Sequence, residues 1–239
     1  MIQQSSPSPD KSPATVREMF ARIAHAYDLN NHLHSLWQDQ CWRRAAVRLA
    51  NPKPTDCVLD LACGTGDVTA MLARTGARRV VGADYCQEML DLAQRKCGLK
   101  LPITWRQADA MALPFDDGEF DIATIAFGIR NVADPRKALT ELLRVLKPGG
   151  RLVVLEFNGG GADGLLGPFV RFYTDRIMPI SAGWIAGDKD GAYRYLCQSV
   201  RSFLTAGQLA QLIGQCGFGD VQTQRLSFGI ASLHGARRQ

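Results

Sequence analysis

The segment Asp60-Leu61-Ala62-Cys63-Gly64-Thr65-Gly66 carries the clearest chemistry in the chain. It joins a short apolar run, Cys57 to Ala62, to a helical pattern that begins near Asp67. Glycines between a buried strand and a helix let the backbone approach a ligand closely. Dinucleotide-binding loops use the same device, but the position of their third glycine is Thr69 here, so G-x-G-x-x-G is not satisfied. An acid at the end of the strand, Asp60, would oppose a pyrophosphate. It suits a cationic aminoacyl-sulfonium ligand instead.

Two further acids fall at equivalent points. Asp84 ends the next apolar run, where a carboxylate can accept both hydroxyls of a ribose. Asp109 follows the third run, where its side chain can take an adenine amino group. Any one of these aspartates is equally well read as a loop former or helix cap. Three at the carboxyl ends of three consecutive strands converge on one crevice, and together they describe S-adenosylmethionine. A hydride-transferring dehydrogenase is the rival enzyme class, disfavoured by Thr69 and Asp60.

The elements that must position these residues follow from periodicity. Thr15 and Glu18 suggest a capping box, with Val16, Met19, Phe20, Ile23 and Tyr27 at helical spacing behind it. A more aromatic segment follows with Leu33, Leu36, Trp37 and Trp42, continues through Arg43, Arg44, Val47 and Leu49, and is closed by Pro52 and Pro54. From Asp56 short apolar runs alternate with helices. Strands are expected at Cys57 to Ala62, Arg79 to Ala83, Ile103 to Gln107, Phe120 to Phe127 and Arg151 to Phe157. Asp134-Pro135 should start a helix with an N-cap and an N1 proline, and Pro148-Gly149-Gly150 should stop it. Thr205 should cap a last helix running to Cys216-Gly217, and Val221 to Leu226 and Gly229 to His234 read as an antiparallel hairpin at the sheet edge. The expected class is α/β, a doubly wound, mostly parallel, seven-stranded sheet.

At 239 residues the chain has room for one large domain. Residues 1–14 read as a disordered leader, 15–55 as helices over the site, and 56–157 as the cofactor-binding core. Residues 158–204 read as a substrate-side insertion and 205–239 as the last helix and hairpin. A formal charge of +5 without a dense Lys/Arg run argues against nucleic acid as a partner. Seven cysteines contain no C-x-x-C pair, and no His cluster has zinc spacing, so no metal is expected. An odd cysteine count with no bridging framework fits a reducing compartment such as the cytoplasm. No apolar run reaches the roughly 18 residues that span a bilayer.

Longer segments carry a resemblance. Met19-Phe20-x-x-Ile23-Ala24-x-x-Tyr27-Asp28-x-x-Asn31, Ser35 with Trp42, and Asp60 to Asp67 are three of its parts. Others are Ala126-Phe127-Gly128-Ile129-Arg130-Asn131-Val132, Arg144 to Arg151 with Glu156-Phe157, and Tyr193-Arg194-Tyr195-Leu196 followed by Ser199-Val200. From about Val16 to its end the chain resembles the quinone-biosynthesis C-methyltransferases, which methylate demethylmenaquinol and, in some organisms, the ubiquinol precursor. The glycine loop and the Lys-Pro-Gly-Gly turn are shared by many methyltransferases, whereas the Phe-Gly-Ile-Arg-Asn and Tyr-Asp segments are much more specific. The resemblance implies a class I, Rossmann-like S-adenosylmethionine-dependent methyltransferase that releases S-adenosylhomocysteine. It implies cofactor contacts at Gly64, Gly66, Thr69, Asp84, Asp109, Ala110 and Ala126, to which the loop reading adds Asp60. Asn30, Asp39 and Asn158 depart from the family pattern, Asp39 standing where histidine is usual and Asn158 where serine is.

Methylation of a ring carbon needs electron density there, which an ionised hydroquinone supplies. Phenols titrate near pH 10, so a base or a fixed positive charge is required. Arg130, just past the fourth strand, is the candidate charge. Asn131 is placed to orient a ring oxygen, and Tyr27 and Asp28 lie in the segment expected to fold over the crevice, Asp28 as a general base. Arg130 is equally readable as an ion-pair partner of Asp134, and Tyr27 as core. Phe169, Phe172, Tyr173, Ile177, Met178, Ile180 and Trp184 could line a channel for the isoprenoid tail or form an ordinary packed helix. The channel reading carries peripheral contact with the inner face of the cytoplasmic membrane, aided by Arg171, Arg176 and Lys189. A homodimer is left open. The alternatives are a C- or O-methyltransferase of another small hydrophobic molecule, or an inactive cofactor-binding subunit.

Overall fold

A computed structural model describes residues 12–98, 101–159 and 192–239. Two helices, α1 (Pro13–His34) and α2 (Gln38–Ala50), precede the alternating core of β1 (Cys57–Leu61), α3 (Asp67–Ala73), β2 (Arg79–Asp84), α4 (Gln87–Cys97), β3 (Ile103–Gln107), β4 (Phe120–Ala126), α5 (Pro135–Val145) and β5 (Leu146–Phe157). Then come α6 (Ala192–Arg201), α7 (Ala206–Gln215), β6 (Phe218–Leu226) and β7 (Ala231–Arg238). Among the described residues these strands form one seven-stranded sheet ordered β3-β2-β1-β4-β5-β7-β6. The first five are parallel, and β7 runs antiparallel to both β5 and β6.

Local chemistry explains several boundaries. Asp134 Oδ1 accepts from the backbone N–H groups of Arg136 (3.0 Å) and Lys137 (3.1 Å), and Pro135 occupies the first helical position of α5. Such a cap is worth about 1 kcal/mol. The expected Thr205 cap is present as a reciprocal capping box with Gln208. All five residues of β1 are buried, as a central parallel strand covered on both faces requires. Helix α2 lays Trp42, Ala46 and Ala50 onto the sheet, and Trp42 meets Phe157 edge-on and Phe127 at a tilt.

Three expectations need correction. Helix α1 begins at Pro13, and the Ser12 carbonyl accepts from Val16 N–H (3.1 Å). Thr15 therefore lies inside the helix rather than capping it, and residues 13 and 14 belong to α1; residues 1–11 lie outside the described residues. The aromatic segment from Leu33 to Trp42 is broken between α1 and α2, where Leu36 and Trp37 adopt left-handed φ values of 51° and 61° without glycine or proline. Strand β5 starts at Leu146, not Arg151, because α5 runs straight into the ladder. Phe120 pairs with Leu146 and Ile122 with Arg151, so Lys147 to Gly150 bulge out between them. The aromatic cluster from Phe169 to Trp184, with Arg171, Arg176 and Lys189, lies outside the described residues.

Candidate active site

The strand order reverses between β1 and β4, and a cavity opens at their carboxyl ends, where such sheets bind ligands. It encloses about 850 Å³, including space open to solvent. Ala62 follows β1 and Phe127 follows β4, and both hold left-handed φ values, 51° and 58°. Each costs about 1 kcal/mol or more in a non-glycine residue and marks a backbone the surrounding structure over-determines. Phe127 N–H is held by the Leu155 carbonyl (2.7 Å) and Cys63 N–H by that of Ala83 (3.1 Å), so both turns are tied to neighbouring strands.

The glycine loop divides into two parts. Gly64 is left-handed (φ 54°), lines the cavity, and would carry a Cβ into open space. Gly66 is left-handed for packing: a Cβ there would lie 2.7 Å from Trp105 Cη2. Asp84 lines the cavity and fixes the loop, its Oδ2 accepting from Gly64 N–H (2.8 Å) and its Oδ1 from Cys86 N–H (2.9 Å). Burial raises its pKa above the usual carboxylate range in spite of those bonds. Ala110 and Ala126 also line the cavity. Asp109 sits between two lining residues, Ala108 and Ala110, with Oδ1 accepting from Met111 N–H (2.8 Å).

Asp60 and Thr69 lie beneath this surface and are absent from the cavity wall. Asp60 Oδ1 accepts from Thr124 Oγ1 and Oδ2 from Thr69 Oγ1, both at 2.6 Å. Burial raises the Asp60 pKa to about 6, against the two hydroxyls and the charge of Arg43. Any influence of Asp60 on a cationic ligand acts through space, not by contact.

The four candidate catalytic residues separate in the same way. Arg130 does not face the crevice. It is 3% exposed, and its Nη1 donates to Glu156 Oε1 (2.8 Å) and to the Phe127 carbonyl (2.6 Å). Its guanidinium lies over Phe157, and its Nε reaches Ser199 Oγ at 3.3 Å. The buried carboxylate opposite it draws it inward; that partner is Glu156, not Asp134. Asp28 also turns from the cavity, accepting from Thr65 Oγ1 (2.6 Å) and Lys96 Nζ (2.7 Å). Tyr27 lies on α1, but its side chain is outside the described residues. Asn131 does line the cavity, and its buried Oδ1 has no hydrogen-bond partner among the described residues.

Arg43 is a cavity residue that the motifs did not point to. It is 8% exposed, lies 5.4 Å from the centre of the Phe127 ring, and donates through Nε to Asp39 Oδ2 (3.4 Å). A signal was present in the sequence. Asp39, Trp42, Arg43, Ala46 and Ala50 share the buried face of α2, so a cation and an acid at i, i+4 sit on an apolar stripe. Two departures from the family pattern also find partners. Asp39 accepts from Ser35 Oγ (2.8 Å) and meets His32 Nδ1 (2.9 Å). Asn158 uses both ends of its amide, donating to the Gly229 carbonyl and accepting from Ala206 N–H at 3.0 Å each.

The chain is 20% identical to an S-adenosylmethionine-dependent methyltransferase of Thermotoga maritima with a TM-score of 0.67, covering 94% of this chain and 100% of that one. It is also 20% identical to the [4+2]-cyclase SpnF, with a TM-score of 0.68 over 98% and 99% of the two chains. At such identities the likeness speaks for the fold, which hosts more than one chemistry. Among curated proteins, the demethylmenaquinone methyltransferase of Thermus thermophilus is 49% identical over 90% of this chain and 98% of its own length. That of Deinococcus radiodurans is 44% identical over 94% and 92%. A family model described as the ubiE/COQ5 methyltransferase family matches residues 8–238. On the strength of that match, with its cavity at the β1–β4 crevice, this chain is an S-adenosylmethionine-dependent methyltransferase and belongs to the ubiE/COQ5 methyltransferase family.

Proposed function

We propose that the protein transfers a methyl group to a ring carbon of a prenylated quinol, with demethylmenaquinol as substrate and menaquinol as product. The observation that carries this reading is the nearly full-length match to relatives named demethylmenaquinone methyltransferase, at 40–49% identity. Bound S-adenosylmethionine would supply an electrophilic methyl on a sulfonium that leaves as a neutral thioether, and the methylated ring carbon would release its hydrogen as a proton to solvent to restore the aromatic quinol. Asp84 is placed for the ribose hydroxyls, Ala108 and Ala110 border the adenine end, and the Gly64 backbone allows close approach.

The remaining work falls to residues around β4. Asn131 offers an oxygen that is unpartnered among the described residues inside the cavity, suited to accept from a quinol hydroxyl and so fix the ring. Orienting carbon, methyl and sulfur in line is worth several kcal/mol of barrier, roughly 7–11 kcal/mol in well-aligned systems. Arg130, engaged with Glu156 and the Phe127 carbonyl, serves by positioning the Phe127–Asn131 turn. The tail-binding surface and membrane contact are part of the same proposal, since a polyprenyl substrate resides in the bilayer. Among the described residues no helix is long and apolar enough to cross a membrane.

The test uses short-tailed demethylmenaquinol and a demethoxy-type benzoquinol side by side with methyl-labelled cofactor. Carbon-bound label in the naphthoquinol product is the expected result. Label on oxygen, or on neither quinol, would reject the proposal. Asn131→Leu should raise KM for the quinol while leaving S-adenosylhomocysteine affinity within about twofold, since one hydrogen bond of about 1 kcal/mol is lost.

A further inference from the structure

We infer that Arg43 anchors the carboxylate of the cofactor's methionine end. A guanidinium has five N–H donors, and burying it without acceptors is costly. Arg43 is nine-tenths buried, yet its interactions use one edge and one face only. Nε is directed to Asp39 Oδ2 (3.4 Å) with Asp67 Oδ2 at 3.8 Å, and the plane lies over Phe127. Neither terminal nitrogen donates a hydrogen bond among the described residues, and the side chain lines the cavity. Two parallel donors on a rigid fork are the geometry that matches a carboxylate.

The order of the sheet says which end of the ligand this fork meets. With Ala108 and Ala110 after β3 at the adenine end and Asp84 after β2 at the ribose, the next strands along the crevice are β1 and β4. The methionine moiety extends over them, and Arg43 stands there, above Phe127, which follows β4. The other cation in the described wall, Arg17, is engaged by Glu88 at 3.1 Å. Asp67 also holds Lys96 (2.5 Å), so its charge is shared and does not fully neutralise Arg43. Asp39 and Phe127 hold the fork in place before the ligand arrives, which limits the ordering cost on binding.

The test compares two ligands by calorimetry on the full chain: S-adenosylhomocysteine and its decarboxylated analogue, which keeps the ammonium group. The wild type should prefer the carboxylate-bearing ligand. Arg43→Gln should weaken S-adenosylhomocysteine by roughly 10- to 100-fold and leave the decarboxylated analogue within about twofold, abolishing the preference. Arg43→Lys, which keeps the charge and loses the fork, should show a smaller but equally selective loss, and serves if the glutamine variant does not fold. Equal weakening of both ligands would overturn the inference in favour of a structural role. Unchanged binding of both with a fall in turnover alone would also overturn it, assigning Arg43 to the quinol oxygen.

Discussion

A carboxylate with both oxygens held by threonine hydroxyls under a ligand loop is a titratable group in the wrong medium for its charge. Asp60 is 1% exposed, and its folded pKa of about 6 lies above the ordinary value of 3.8. The folded state therefore binds its proton more tightly than the unfolded chain does. The resulting penalty is fully present above pH 6 and fades as the pH falls from about 6 toward 4. Two pKa units correspond to about 3 kcal/mol. Asp60→Asn should remove this dependence. Urea unfolding at pH 7.5 and at pH 4.5 should show the wild type gaining about 2 kcal/mol relative to the variant at the lower pH. Parallel profiles would show that Asp60 titrates alike in the folded and unfolded states, against the shift that burial imposes. Arg130 and Glu156 follow the same logic of pairing, since a buried charge is retained only with its partner.

Helices and strands were far more legible in the sequence than the directions of their side chains. The alternation of apolar runs gave β1 to β4 nearly to the residue, and Asp134-Pro135 and Thr205 located helix starts through cap chemistry. Periodicity is silent where every position of a strand is buried, as in β1, so Asp60 read as a cavity acid although it lies under the loop. It is equally silent about a residue just past a strand, and Arg130 turned inward to a glutamate 26 positions later. Within the loop, Gly64 and Gly66 look alike in sequence but differ in what surrounds them. Gly66→Ala should cost stability through strain at φ 83° and the clash with Trp105, by about 2 kcal/mol or more in thermal unfolding. Gly64→Ala meets no atom within 4 Å, so it should cost only the strain of its φ, about 1 kcal/mol. Its methyl group would stand in the cavity, so its larger effect should be on S-adenosylhomocysteine affinity. If both variants lost stability equally and neither lost affinity, this division of the loop would be incorrect.

At the scale of the whole molecule, the cavity is closed by a helix that does not belong to the sheet. Val16, Arg17 and Phe20 of α1 form part of its wall. Phe20 and Ala21 pack against Cys86 and Met89, Arg17 pairs with Glu88 across an exposed surface, and Asp28 meets both Thr65 of the glycine loop and Lys96 of α4. Lys96 joins three elements at once, since its ammonium also reaches Asp67 at the start of α3 (2.5 Å). The Lys96 side chain is 41% exposed, so its ion pairs add little to global stability, under about 1 kcal/mol. Their effect should be local, because a terminal helix can open independently of the core. Lys96→Met is expected to leave the unfolding midpoint nearly unchanged while amide hydrogens of α1 exchange faster. Dissociation of S-adenosylhomocysteine should quicken several-fold, since opening of α1 uncovers one wall of its site. Bound ligand should restore much of the lost protection in α1 and little elsewhere. Exchange that rises uniformly across the sheet, or not at all in α1, would mean that Lys96 supports the core and that α1 is held by its apolar contacts alone.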